Sequence, residues 1–292
     1  MRNRDRAKKL IKAFFLGAWA LAACQPAPLS FTPTVQPAPA TPSPVIPTIS
    51  APTATLPAPT ATAAPSPEPS LEICSPLDGI EISDLPQIIS NPFDAPPLGQ
   101  DDGHHGVDLA FYRFGDRVSM EGLQIHAVLP GKVVGVIANR PPYGYAVVIE
   151  TAPETIASLL PNLAQAAPAL GAVQPHPALN CPEPQQQTYD PARESLYLLY
   201  AHMAQPPLVA PGDEIVCGQT LGEVGTTGMS VNLHLHLEAR LGPSGYRFAS
   251  MAHYENAASQ DEMANYCLWR VTNTFRMFDP MLLFALQTAD AP

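Results

Sequence analysis

The chain has 292 residues, 14% of them charged and 46% hydrophobic, with 36 prolines and a formal net charge of −11. Fourteen of the prolines fall between Pro26 and Pro69, where Glu68 is the only charged residue, so the composition excludes one globule running the whole length. Residues 24–292 set nine basic against 25 acidic side chains, a net of −16 with Lys132 the only lysine, which excludes the basic footprint of a nucleic-acid binder.

In chain order, Met1–Lys12 is basic, Ala13–Ala20 is apolar and too short to span a bilayer, and the segment closes on Leu21-Ala22-Ala23-Cys24. That is the order of an export signal. Leu21–Cys24 also resembles the bacterial lipoprotein box, which implies that residues 1–23 are a removed signal peptide and that Cys24 carries a lipid. The Pro/Thr/Ala-rich residues 24–70 are expected to form a disordered tether, holding an extracytoplasmic domain to a bacterial membrane.

Residues 71–292 carry enough chain for a sizeable core. Strands are predicted over Leu123–Leu129, Lys132–Ile137, Tyr145–Glu150, Ser195–His202, Glu214–Cys217 and Leu233–Arg240, separated by turn signals such as Pro130-Gly131 and Pro211-Gly212-Asp213. The spacing predicts a mainly β, antiparallel fold without βαβ crossovers. Residues 152–193 read as an insertion on the rim with a short helix within 155–170, residues 245–278 as an irregular stretch, and Pro280–Leu286 as a closing helix. Cys74, Cys181, Cys217 and Cys267 can pair in three ways. Closure of the two ends favours Cys74 with Cys267 and Cys181 with Cys217.

Chemistry is concentrated in histidine. On a strand, Leu233-His234-Leu235-His236-Leu237-Glu238 puts the leucines on one face and His234, His236 and Glu238 on the other. Two imidazoles on one side of a pleat suit a metal. Upstream, His104-His105-Gly106-Val107-Asp108 gives His104 and Asp108 the even spacing of one side of an extended segment, and Tyr200-Ala201-His202 ends an apolar strand. His105 is expected to be an exposed neighbour, and His126, His176 and His253 to be surface or strand residues. Tyr143 and Tyr145 are placed at the groove edge or in turn packing.

Taken together, His104-x-x-x-Asp108, Tyr-Ala-His202 and His234-x-His236-Leu-Glu resemble the LytM/lysostaphin-type zinc metallopeptidases, the M23 family of peptidoglycan endopeptidases. The resemblance covers about residues 99–241, with Val128–Val134 and Gly225–Ser230 also similar to family segments and 242–292 as a C-terminal extension. It implies an antiparallel β-sheet groove domain with one Zn2+ held by His104, Asp108 and His236. It leaves His202 and His234 free as catalytic groups, with Glu238 supporting a ligand from behind. Three protein ligands leave a hydrolytic zinc one open position. The implied substrates are the stem peptides and cross-bridges of peptidoglycan. The alternative is a non-catalytic LytM-like module that binds the wall or activates another wall hydrolase; such modules typically lack ligands, whereas all five residues are present here.

Overall fold

The computed structural model describes residues 71–289, so the predicted signal peptide, Cys24 and the tether lie outside the described residues. The strands are β1 (Ile89–Asn91), β2 (Val107–Leu109), β3 (Gln124–His126), β4 (Gly131–Arg140), β5 (Gly144–Thr151) and β6 (Asp190–Met203). They continue with β7 (Glu214–Ile215), β8 (Thr220–Glu223), β9 (Leu235–Ser244) and β10 (Arg276–Phe278). Three helices accompany them: α1 (Leu160–Ala166), α2 (Gln260–Arg270) and α3 (Met281–Ala289). No helix of the described residues is long and apolar enough to cross a membrane.

Strands β1-β2-β9-β6-β5-β4-β7 form one sheet, while β3 and β8 form a separate pair. β10 also pairs with β9, and every strand pairing is antiparallel. β2 meets β9 at Leu235–Leu237 and β10 meets it at Ala239–Leu241, so the two lie end to end along one edge of β9. The fold is mainly β, as the turn spacing predicts.

Alternation along the central strands feeds two cores. Val147, Ile149, Leu196, Leu198, Leu235 and Leu237 point into the larger one. On the opposite face, Val148, Tyr197, Leu199 and Ala201 pack with Phe248, Trp269 and Phe275 of the C-terminal extension. Burying each of these phenylalanines contributes about 1.5–3 kcal/mol, so the extension is an integral layer over the sheet.

Several expectations change. The stretch 245–278, read as irregular, contains the eleven-residue α2, whose N-terminus is fixed by reciprocal bonds between Ser259 and Glu262. This capping box stood in the sequence as Ser259-x-x-Glu262. β3 is shorter than 123–129 because Ala127 N bonds instead to Gln219 O and Val128 N to Tyr200 Oη. The insertion runs from 152 to 189, since β6 begins at Asp190.

The disulfides are Cys74–Cys217 and Cys181–Cys267, not the expected pairs. Cys74 N donates to Val128 O and Gly218 N to Ala127 O, so both cysteines of the first bridge abut the same stretch of chain. Cys267 sits on α2 over the other face, where the insertion is bonded to the extension through Val173 N to Thr272 O.

Candidate metal centre

Strand pairing brings the first two candidate ligands together: Asp108 on β2 stands directly opposite His236 on β9. Gly106 permits this approach, because a Cβ there would lie 2.3 Å from Leu237 O. The chain bends at His105 and Gly106, and His104 is anchored by reciprocal backbone bonds with Asp94. A bend, rather than the single extended segment expected, therefore puts His104 beside Asp108. Along β9 the alternation holds: Leu235 and Leu237 enter the core while His236, Glu238 and Arg240 share the opposite, buried face. His234 lies just ahead of the strand, bridged to Gly225.

The three donor atoms form a tight triangle. His104 Nε2 is 3.0 Å from Asp108 Oδ1 and 3.1 Å from His236 Nδ1, and His236 Nδ1 is 2.8 Å from Asp108 Oδ1. Each imidazole is also oriented from behind. His104 Nδ1–H donates to Pro92 O at 2.8 Å, and His236 Nε2 lies 3.1 Å from Glu238 Oε1. With those hydrogens turned outward, two nitrogen lone pairs and a carboxylate face one point, a set that asks for a cation. A tetrahedral zinc ion with bonds near 2.05 Å spaces its donors about 3.3 Å apart. The triangle needs to open by only a few tenths of an ångström, so the residues fit such an ion.

The electrostatics agree. Burial by itself raises the Asp108 carboxyl, but the imidazoles of His104 and His236 against it hold it well below the usual carboxylate range. Burial lowers the His236 imidazole, yet Asp108 and Glu238 on either side push it up to about 9, so a proton balances the two carboxylates where a cation otherwise does. Asn91 Nδ2 donates to Asp108 Oδ2 at 3.3 Å, leaving Oδ1 to face the centre.

His202 and His234 complete the wall of a cleft of about 280 Å³. Their rings lie 4.7 Å apart, and the His202 ring is 5.7 Å from that of His236. His202 Nδ1–H donates to Thr227 O at 2.8 Å, and His234 Nδ1–H to Asn232 O at 2.9 Å, so each ring keeps Nε2 as an acceptor. His234 Nε2 is 3.5 Å from Asp108 Oδ1. His202 occupies the left-handed region at φ 61°, a strained conformation for a non-glycine residue at the end of its strand. Burial, reinforced by His236 and His234, lowers its pKa to about 3, so the ring is neutral at physiological pH. A second, more apolar cleft of about 210 Å³ adjoins, sharing Asn232 and walled by Phe111, Met120 and Leu233. None of the cleft-lining residues comes from the insertion.

Behind the centre lies a buried polar network. Glu238 accepts from Tyr143 Oη at 2.8 Å, Trp269 Nε1 at 2.7 Å and Arg240 Nη2 at 2.8 Å. Arg270 Nε donates to Asp101 Oδ1 at 2.6 Å, and its Nη1 reaches Tyr143 Oη at 3.3 Å. His105 is fully buried, contrary to expectation, because Arg240 Nη2 donates to its Nδ1 at 3.0 Å. Burial, with Arg270 and Arg240 nearby, drives its pKa down to about 2. Tyr143 is likewise buried and serves Glu238, while Tyr145 packs half-buried against the larger core. His253 is buried too, donating from Nε2 to Leu179 O at 2.8 Å; His126 is half-buried in β3, and His176 accepts from Ala178 N. Arg240 continues the His236-x-Glu238 alternation and was legible in it. Asp101, Trp269 and Arg270 carry no local signal.

No family model and no curated protein matches the chain. Among solved structures, the chain is similar to the catalytic domain of lysostaphin from Staphylococcus simulans, at 17% identity over 70% of this chain and 98% of that one, with a TM-score of 0.34. It is also similar to a zinc-containing peptidase from Vibrio cholerae, at 19% identity over 52% of this chain and 33% of that one, with a TM-score of 0.30. A prophage-encoded M23 protein from Enterococcus faecalis shares 22% identity over 54% of this chain and 82% of its catalytic domain, again with a TM-score of 0.30. The chain thus spans about a third of the Vibrio peptidase. Two of the three, the lysostaphin domain and the M23 protein, bear the names of the family that the sequence motifs resemble.

Proposed function

We propose that the chain is a zinc-dependent metalloendopeptidase of the M23 type that hydrolyses peptide cross-links of bacterial peptidoglycan. One observation carries the reading: three donor atoms converge within hydrogen-bond distance of one another while the rings of His202 and His234 wall the same cleft. In this reading His104, Asp108 and His236 hold the metal. Bound zinc supplies Lewis acidity and brings the pKa of water from about 16 to roughly 7.

The chain's own residues do the rest. Nε2 of His202 and Nε2 of His234 take the proton from the attacking water and return it to the leaving amine. Low basicity suits His202 to the return step, since a proton placed on it is given up readily. The backbone carbonyls of Thr227 and Asn232 hold both rings in the accepting tautomer. Glu238 keeps the proton of His236 on Nε2, so that Nδ1 stays free for the metal.

The same proposal places the domain outside the cytoplasm, with residues 1–23 as signal peptide, Cys24 lipidated at a bacterial membrane and residues 24–70 as the tether that spans towards the wall. The test is to incubate the purified chain with walls of known cross-link chemistry, with zinc or with a chelator, and to weigh the released peptides. Zinc-dependent release names the bond cut. No release from any wall supports the non-catalytic module instead.

A further inference from the structure

We propose that Arg270 anchors a substrate carboxylate on one of the two residues joined by the scissile amide. This rests on the hydrolytic reading above and narrows its substrate class. Arg270 closes α2 in the C-terminal extension, beyond the segment that carries the sequence motifs. It nevertheless lines the metal cleft beside Tyr143 and His202.

Its guanidinium is fixed. Nε donates to Asp101 Oδ1 at 2.6 Å, Nη1 reaches Tyr143 Oη at 3.3 Å and Glu238 Oε1 at 3.4 Å, and the group lies 5.4 Å from the Tyr266 ring centre. Nη2 has no partner among the described residues, and the side chain keeps 11% exposure. A fixed guanidinium with one nitrogen uncommitted is suited to a single charge-assisted hydrogen bond to a carboxylate. It is also close to the chemistry, since Glu238 Oε1 contacts both Arg270 Nη1, at 3.4 Å, and His236 Nε2, at 3.1 Å.

Charge favours an anion as well. Among the cleft-lining residues Asp108 is the one carboxylate, and Arg270 the one arginine or lysine. In the network behind them, Asp101 answers Arg270 and Glu238 answers Arg240. A divalent ion held by Asp108 would give the cleft a net charge near +1. A cross-link whose joined residue bears a free carboxylate therefore fits it better than an uncharged polyglycine bridge.

The test uses synthetic peptides in two matched pairs, carrying a carboxylate or a carboxamide on the acyl-side residue or on the amine-side residue of the scissile bond. One pair should show about tenfold to a hundredfold preference for the carboxylate in kcat/KM, seen mainly in KM, as a charge-assisted hydrogen bond supplies. R270K, which keeps a charge beside Asp101 but loses the uncommitted second nitrogen, should narrow that preference. Equal turnover within both pairs by the unaltered chain overturns the anchor while leaving hydrolysis standing. Cleavage of neither peptides nor walls overturns the hydrolytic reading and the anchor with it.

Discussion

Replacing Glu238 with Gln isolates the residue that joins the metal centre to the layer behind it. Glu238 is fully buried, with Oε1 facing Tyr143 Oη and His236 Nε2, and Oε2 facing Trp269 Nε1 and Arg240. A glutamine must turn its NH2 towards one of these sets. Either way the Arg240 charge is left buried without the Glu238 counter-charge, and an NH2 turned to the Oε2 side meets donors only. Turned to the Oε1 side, it faces the Arg270 Nη1 donor as well; Tyr143 can rotate its hydroxyl to accept, but His236 has to accept at Nε2 and carry its proton on Nδ1, the atom that faces His104 and Asp108. Breaking a buried ion pair costs about 3–5 kcal/mol, and losing the group that orients a ligating histidine weakens metal binding about 10- to 100-fold. Denaturant unfolding of the metal-free protein reads the first effect, and zinc competition against a chromophoric chelator reads the second. An E238Q protein that unfolds at the wild-type midpoint and binds zinc within twofold of wild type would show that Glu238 neither balances Arg240 nor orients His236.

His236→Ala should lose both bound zinc and turnover, whereas His234→Ala should keep zinc and lose turnover by about 10²–10⁴-fold; equal zinc loss in the two proteins, measured by elemental analysis, would sink the division of roles. Zinc must displace a proton held on His236 up to about pH 9, so affinity should climb roughly tenfold per pH unit below 9 and flatten above it; a profile flat from pH 7 to 9 contradicts this. Because that raised pKa lies above the unfolded value of about 6.5, its stabilisation of the metal-free chain is complete below 6.5 and lost as pH rises through 9, about 3 kcal/mol in all. Urea unfolding at pH 6 and at pH 9.5, compared with His236→Gln, checks the loss. Replacing Cys181 and Cys267 with serine should lower stability by about 2–4 kcal/mol while leaving one zinc per chain, since none of His104, Asp108 and His236 lies in the insertion or the extension; loss of zinc in that variant would show that the centre depends on the bridge.

The parts of the site that sequence made legible are those set by local periodicity. Alternation along His234–Glu238 placed the leucines in the core and the histidines on the cleft side, and the structure adds Arg240 to the same row. His104 and Asp108 do come together, but through a bend at Gly106 that spacing alone does not report. What escaped was tertiary. His105 looked like a bystander because nothing near it in sequence announces that Arg240, 135 residues away, donates to it. Asp101, Trp269 and Arg270 act through a layer formed only when α2 folds back over the sheet. The cysteine pairing differs from the expected one for the same reason: end-to-end closure ignores that Cys74 starts alongside β3, next to the turn bearing Cys217.

The proposed function requires His104, Asp108 and His236 to hold one ion that the chain uses to cut peptide bonds. Metal content and peptide release, measured on the same preparations of wild type and Asp108→Ala after zinc loading, test it most directly. One zinc per wild-type chain with release of wall peptides is expected, and neither in the variant. Asp108→Ala protein that releases the same peptides at the wild-type rate, or zinc-loaded wild type that releases none, would contradict it.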